Sequence, residues 1–177
     1  MMRYLLLLLI MLPMTSWVFS SFIQAQTLNQ RVMKKINEYR ASYGITTLAY
    51  EPKAKKTNVQ MLKYMIETST IPLDHSQRLP TSFPKTFETF TDRVNYVNDS
   101  TYICIGENLC IFVDLKTDEE RAEYIVELWK NSPPHNALLL SLRYTGMYVG
   151  NQLSNQIIID DSYYYGSIRY VVLTLYK

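Results

Sequence analysis

Cysteine and histidine are almost missing from this chain, with two of each among 177 residues. Cys104 and Cys110 lie far from the N-terminus, so the small residues around Ala25 have no neighbouring thiol. That argues against a bacterial lipoprotein anchor. An excess of charge is missing too: 18 basic residues meet 16 acidic ones. No basic stripe points to nucleic acid, and no polybasic cluster points to anionic lipid. Internal repeats and low-complexity segments are absent. So is a spanning apolar run, because Leu5–Leu12 ends at Pro13 and a membrane helix needs roughly 20 apolar residues.

What is present begins with an export pattern. Arg3 supplies a positive start, Leu5–Leu12 an apolar stretch, and Ser20, Ser21 and Ala25 small residues, as in a secretory signal peptide cut after Ala25. A retained N-terminal anchor is the alternative. Removing residues 1–25 of 177 leaves 152, enough for one domain, 26–177, around one core. Export places the two thiols where they can pair. Along one straight strand, however, Cys104 and Cys110 would stand about 20 Å apart, so a disulfide needs a turn between them. Two small buried hydrophobes are the alternative. The 15 tyrosines suit half-buried strands and wet binding surfaces.

Periodicity predicts helices first and strands last. Leu28, Val32, Ile36, Tyr39 and Tyr43 form one stripe over 28–43, and Gly44 is a natural stop. Ile45–Tyr50 reads as a connector. Pro52 suits the first turn of a second helix over 52–67. Pro80 and Pro84 break the chain, and Phe87, Phe90, Val94 and Val97 suggest a short helix. Tyr102–Val113 reads as an extended buried segment. Thr117 with Glu120 is a capping box opening a helix over 118–131, whose inward stripe is Ala122, Ile125, Val126 and Trp129. Pro133-Pro134 ends it. Strands are expected at 144–150, 156–159 and 168–176, with a turn at Asp160-Asp161-Ser162. The order is α+β.

Four short segments carry more. Asp74-His75-Ser76, Gly106-Glu107-Asn108-Leu109, Trp129-Lys130-Asn131-Ser132-Pro133-Pro134-His135 and Thr145-Gly146-Met147-Tyr148-Val149-Gly150 follow Ile36-Asn37-Glu38-Tyr39-Arg40. Together they resemble the CAP superfamily of cysteine-rich secretory proteins, antigen 5 and plant pathogenesis-related 1 proteins, with their bacterial SCP-like relatives. The resemblance covers residues 30–177. It implies an α/β/α sandwich with a small, mainly antiparallel central sheet flanked by helices, in a protein secreted to the medium or the bacterial periplasm or envelope.

It also implies a cleft lined by two histidines and two glutamates that can hold a divalent metal such as zinc. His75, Glu107 and His135 match three of these. The fourth place, three after the tryptophan, holds Ser132, and Glu127 lies roughly 140° away around a helix, so it does not substitute. Two imidazoles and a carboxylate suit zinc, and a bound water there could become acidic. Separations of 32 and 28 residues mean that no local geometry brings them together. A structural Glu107 and two histidines bonded across the cleft without metal are the alternative. Asn108 is expected to fix its loop, and Trp129 to sit in the core with its N–H partnered. Ser132 neighbours His135 in sequence but shows no triad.

Three functions stay open. The first is a secreted domain whose cleft binds a ligand (lipid, glycan or protein) or a metal. The second is a metal-dependent hydrolase using Glu107. The third is an extracellular interaction module built on Tyr163–Tyr165.

Overall fold

The computed structural model describes residues 26–72, 75–77, 89–97, 104–115, 117–159 and 162–177. The export segment, Asp74, Pro80, Pro84, Phe87 and the Asp160-Asp161 turn lie outside them. The elements are α1 (Leu28–Ser42), β1 (Ala49–Tyr50), a 3₁₀ turn (Pro52–Ala54) leading into α2 (Lys55–Thr68), α3 (Phe90–Val97), β2 (Cys104–Val113), α4 (Asp118–Lys130), α5 (Pro133–Leu139), β3 (Gly146–Ile159) and β4 (Ser162–Tyr176).

Helix boundaries follow local chemistry. Thr27 and Gln30 close a capping box on α1, as Thr117 and Glu120 do on α4. Gly44 takes φ 67° after α1, and the Ile45 amide returns to the Arg40 carbonyl at 3.0 Å. Pro133-Pro134 ends α4 as expected and also starts α5, which the sequence reading lacked. Proline at the first helical positions removes an amide that has no intrahelical partner there.

The sheet order is β1-β3-β4-β2. β4 is antiparallel to both β3 and β2, while β1 joins β3 in parallel, so the sheet is mixed but mainly antiparallel. The two strands expected at 144–150 and 156–159 are one, kept continuous by an irregularity between Ser154 and Gln156. β4 is central and, from Ile168 to Tyr176, buried on both faces, where alternation sorts its side chains. Val171, Leu173 and Leu175 join α1, α4 and α5 around Ile36, Ile125 and Trp129. Ile168, Tyr170 and Val172 join α2 around Met61 and Met65. Two helical layers therefore enclose the sheet.

The sequence leaves two readings for Cys104 and Cys110, a disulfide or two small buried hydrophobes. β2 runs extended through both positions, and Cys110 is a free, buried thiol whose pKa burial pushes up. The Cys104 side chain lies outside the described residues.

Asp114 ties three elements together at the end of β2. It accepts from Arg169 Nε of β4 at 2.6 Å and from Arg121 Nε of α4 at 2.8 Å. These guanidiniums, Arg169 first, hold its carboxyl at about 2, below the ordinary 3.8. A depressed acid stabilises the fold above the unfolded pKa and loses that contribution as pH falls through the folded one. Asp114→Asn should therefore cost about 1 kcal/mol near neutral pH, a figure discounted for the solvent that reaches the cluster. Urea unfolding from pH 7 to pH 2 checks it. The two proteins should converge as pH drops from 3.8 towards about 2; a gap that persists unchanged into acid would contradict the assignment.

Candidate functional site

The site gathers at the sheet edge formed by β2. Alternation sends Glu107 towards the α2 and α3 face with Leu109, and Asn108 towards α4 and α5 with Cys110. His75 arrives on a loop held by a reciprocal amide pair. Gln60 Nε2 of α2 donates to Gln77 Oε1 at 3.0 Å, and Gln77 Nε2 donates to the Gln60 carbonyl at 3.3 Å. His75 has φ 59°, a left-handed conformation uncommon outside glycine, which aims its ring at β2. Its Nδ1 lies 2.9 Å from Glu107 Oε1.

The same carboxylate oxygen holds a residue that the sequence reading missed. Arg93 Nη2, from α3, donates to Glu107 Oε1 at 2.6 Å, and both side chains are shut off from solvent. Phe90 lies beside both basic groups. Its ring meets the His75 ring edge-on at 6.4 Å, and the Arg93 guanidinium lies 5.1 Å from its centroid. One signal for α3 was legible: Thr89 and Asp92 bond reciprocally, Asp92 Oδ2 accepting from the Thr89 amide at 3.1 Å. Nothing in the sequence tied Arg93 to Glu107.

His135 occupies the first turn of α5, and that helix is held from two sides. Asn108 Nδ2 donates to the His135 carbonyl at 3.3 Å. From α1, Tyr39 Oη donates to Asn136 Oδ1 at 3.0 Å, and the buried Arg40 donates through Nη1 to the Leu139 and Ser141 carbonyls at 2.6 and 2.9 Å. Burial first, and the nearby His75 second, lower the His135 pKa, which favours the neutral ring. Trp129 is buried in the core and donates Nε1–H to the Leu109 carbonyl at 3.2 Å, fastening α4 to β2. Ser132 is the N-cap of α5 without a side-chain capping bond. Glu127 pairs with Lys130 instead of reaching the cleft.

His75 and Glu107 thus touch, and His135 lies within electrostatic reach of His75. Among the described residues, however, no group of three His, Cys, Asp or Glu is placed to hold a metal. Glu107 Oε1 already carries a guanidinium and an imidazole. A zinc ion bound to it would sit about 2 Å away, against a fixed positive charge in a buried place. At that oxygen a guanidinium, not a metal, supplies the positive charge. Four buried atoms here have no hydrogen-bond partner among the described residues: Arg93 Nε and Nη1, Glu107 Oε2 and Asn108 Oδ1.

Comparison with solved structures places this architecture. An extracellular protein containing an SCP domain from Bacillus anthracis superposes with a TM-score of 0.54 at 19% identity, covering 85% of this chain and 40% of that one. An outer surface protein from Borrelia burgdorferi superposes with a TM-score of 0.52 at 17% identity, covering 81% and 88%. The chain has the SCP fold. This chain spans 40% of the length of the Bacillus anthracis protein. No family model matches the sequence, and no curated protein matches it. Within the SCP fold, Glu107 and His135 occupy β2 and the start of α5, and the β3–β4 hairpin projects Tyr163, Tyr164 and Tyr165 into solvent, 59%, 53% and 75% exposed. Among the described residues no helix is long and apolar enough to cross a membrane.

Proposed function

We propose that this chain is an extracellular SCP-fold protein, exported after cleavage behind Ala25, whose cleft beside His75, Glu107 and His135 binds a small polar ligand without a metal. The observation that carries this reading is Arg93. Its guanidinium neutralises Glu107 from within the protein, and the pair itself keeps three polar atoms, Arg93 Nε and Nη1 and Glu107 Oε2, with no partner among the described residues. Unpaired buried polar atoms are costly, and a polar ligand offers them partners. His75, in contact with Glu107, and His135 are both partly exposed. A hydrolase reading has less support, because it needs a metal-activated water or a nucleophile in contact with a base. Among the described residues, His75 touches Glu107 and Phe90 through its side chain.

The chain's two histidines make the test direct. In untagged protein exported and found to begin at Gln26, only His75 and His135 contribute imidazole ring proton signals. A screen of small polar fragments by proton NMR should find compounds that shift both rings together. Zinc calorimetry should give the same heats for the native protein and for a His75→Ala, His135→Ala double variant. One-site zinc binding lost in the variant would replace this reading with the metal one. Fragments that never move both rings would end the shared cleft.

A second reading, an interaction module on the β3–β4 hairpin, is favoured by one observation. Tyr163 and Tyr165 lie nearly parallel, 6.3 Å between centroids, and both are exposed. Exposed tyrosines of this kind are common at binding surfaces.

A further inference from the structure

Away from the cleft, the start of α1 and the β1–β3 edge enclose a groove of about 500 Å³. That lies in the size range of small-molecule sites, roughly 300–1,000 Å³. Among the described residues its walls are the N-cap Thr27 with Asn29, Gln30 and Met33 of α1, Tyr50 of β1, and Tyr148 and Val149 of β3. Among the described residues none of its lining side chains is charged. The two tyrosine rings lie 5.8 Å apart at 37°, and Tyr50 is 59% exposed.

The polar groups here are held in fixed orientations. Asn29 Oδ1 accepts from Asn151 Nδ2 at 2.6 Å, which leaves the Asn29 NH₂ to donate. Gln30 Oε1 accepts from the Thr27 amide at 2.9 Å and from its hydroxyl at 3.2 Å, which leaves the Gln30 NH₂ to donate. Two phenol hydroxyls complete the set. The wall thus combines aromatic faces with neutral donors.

That chemistry separates ligand classes. An acyl chain would strip water from two amides and two phenols without replacing their hydrogen bonds. An anionic or cationic ligand would find no counter-charge among the described lining residues. A pyranose ring satisfies both features, because its C–H face packs on an aromatic ring while its hydroxyls and ring oxygen accept from amide NH₂ and phenol groups. We propose that this groove is a binding site for a neutral oligosaccharide, with Tyr50 as the stacking platform.

Calorimetry of the 26–177 protein against cellotriose, maltotriose and triacetylchitotriose tests it. At least one should bind with a Kd under about 10 mM. Tyr50→Ala should weaken that binding about tenfold or more, the equivalent of one good aromatic contact. Tyr50 is largely exposed on a two-residue strand, so its truncation leaves the core intact. Tyr163→Ala, a ring of equal exposure elsewhere, should change nothing, and neither should the double histidine variant. The proposal is overturned if none of the three sugars binds at about 10 mM, if Tyr50→Ala binds as well as the native protein, or if affinity follows the histidines. Tyr50-dependent binding of laurate or a heparin disaccharide with no neutral sugar bound would also overturn it.

Discussion

Arg93→Met should cost the folded state about 3–5 kcal/mol, the range for breaking a buried ion pair by removing one partner. The guanidinium is fully buried and holds Glu107 Oε1 at 2.6 Å. Methionine fills similar volume, so the loss reports charge more than packing. What remains is a carboxylate 4% exposed whose other described partner is His75. The informative comparison is Arg93→Met with Glu107→Gln, which removes both charges and should return to within about 1–2 kcal/mol of the native protein. Urea unfolding of all three proteins reads this out. A single variant costing under about 1 kcal/mol would show that Glu107 does not depend on Arg93. A double variant no more stable than the single one would show that packing, not charge, carries the effect.

Gly150→Ala is expected to cost about 3 kcal/mol, from overpacking together with a disturbed buried hydrogen-bond set. A methyl group built at Gly150 would stand 2.1 Å from Asn58 Oδ1 and 2.8 Å from Leu62 Cδ1, both on α2. Asn58 has little freedom to withdraw. Its Nδ2 donates to the Val172 carbonyl at 2.7 Å and to Thr174 Oγ1 at 3.2 Å, bonds that bind α2 to the centre of β4. The demand at Gly150 is for space, where helix meets sheet. Thermal and urea unfolding of Gly150→Ala, Asn58→Ala and the double variant decide the cause. If the clash is the mechanism, the double variant loses clearly less than the two single losses combined. Strict additivity, or a Gly150→Ala protein within about 0.5 kcal/mol of native, would remove the close approach as an explanation.

Particular residues show why some features were readable and others were not. Helical stripes through Val32 and Ile36, and through Ile125 and Trp129, were visible because one buried face imposes a period on the chain. The capping box at Thr117 and the stop at Gly44 are chemistry within a few residues. The bulge that joins 144–150 to 156–159 was not readable, because pairing to β4 keeps the strand continuous through an irregular register. α5 was missed for a related reason: the proline pair that breaks one helix also suits the first turn of the next. The three site residues His75, Glu107 and His135 could be named from short motifs. Arg93 could not, because it lies in none of those motifs and its charge was simply one of the 18 basic residues.

By itself, then, the chain's pattern determined the local elements, their order and the residue types available for a site, since periodicity, caps and turn chemistry act over a few positions. The folded arrangement alone decided what Glu107 faces. Fourteen residues separate it from Arg93 and 32 from His75, and only packing of α3 and the His75 loop against β2 brings both onto one oxygen. The charge on a buried carboxylate depends on what the fold places within a few ångströms, and that neighbourhood is not written in any nearby stretch of sequence.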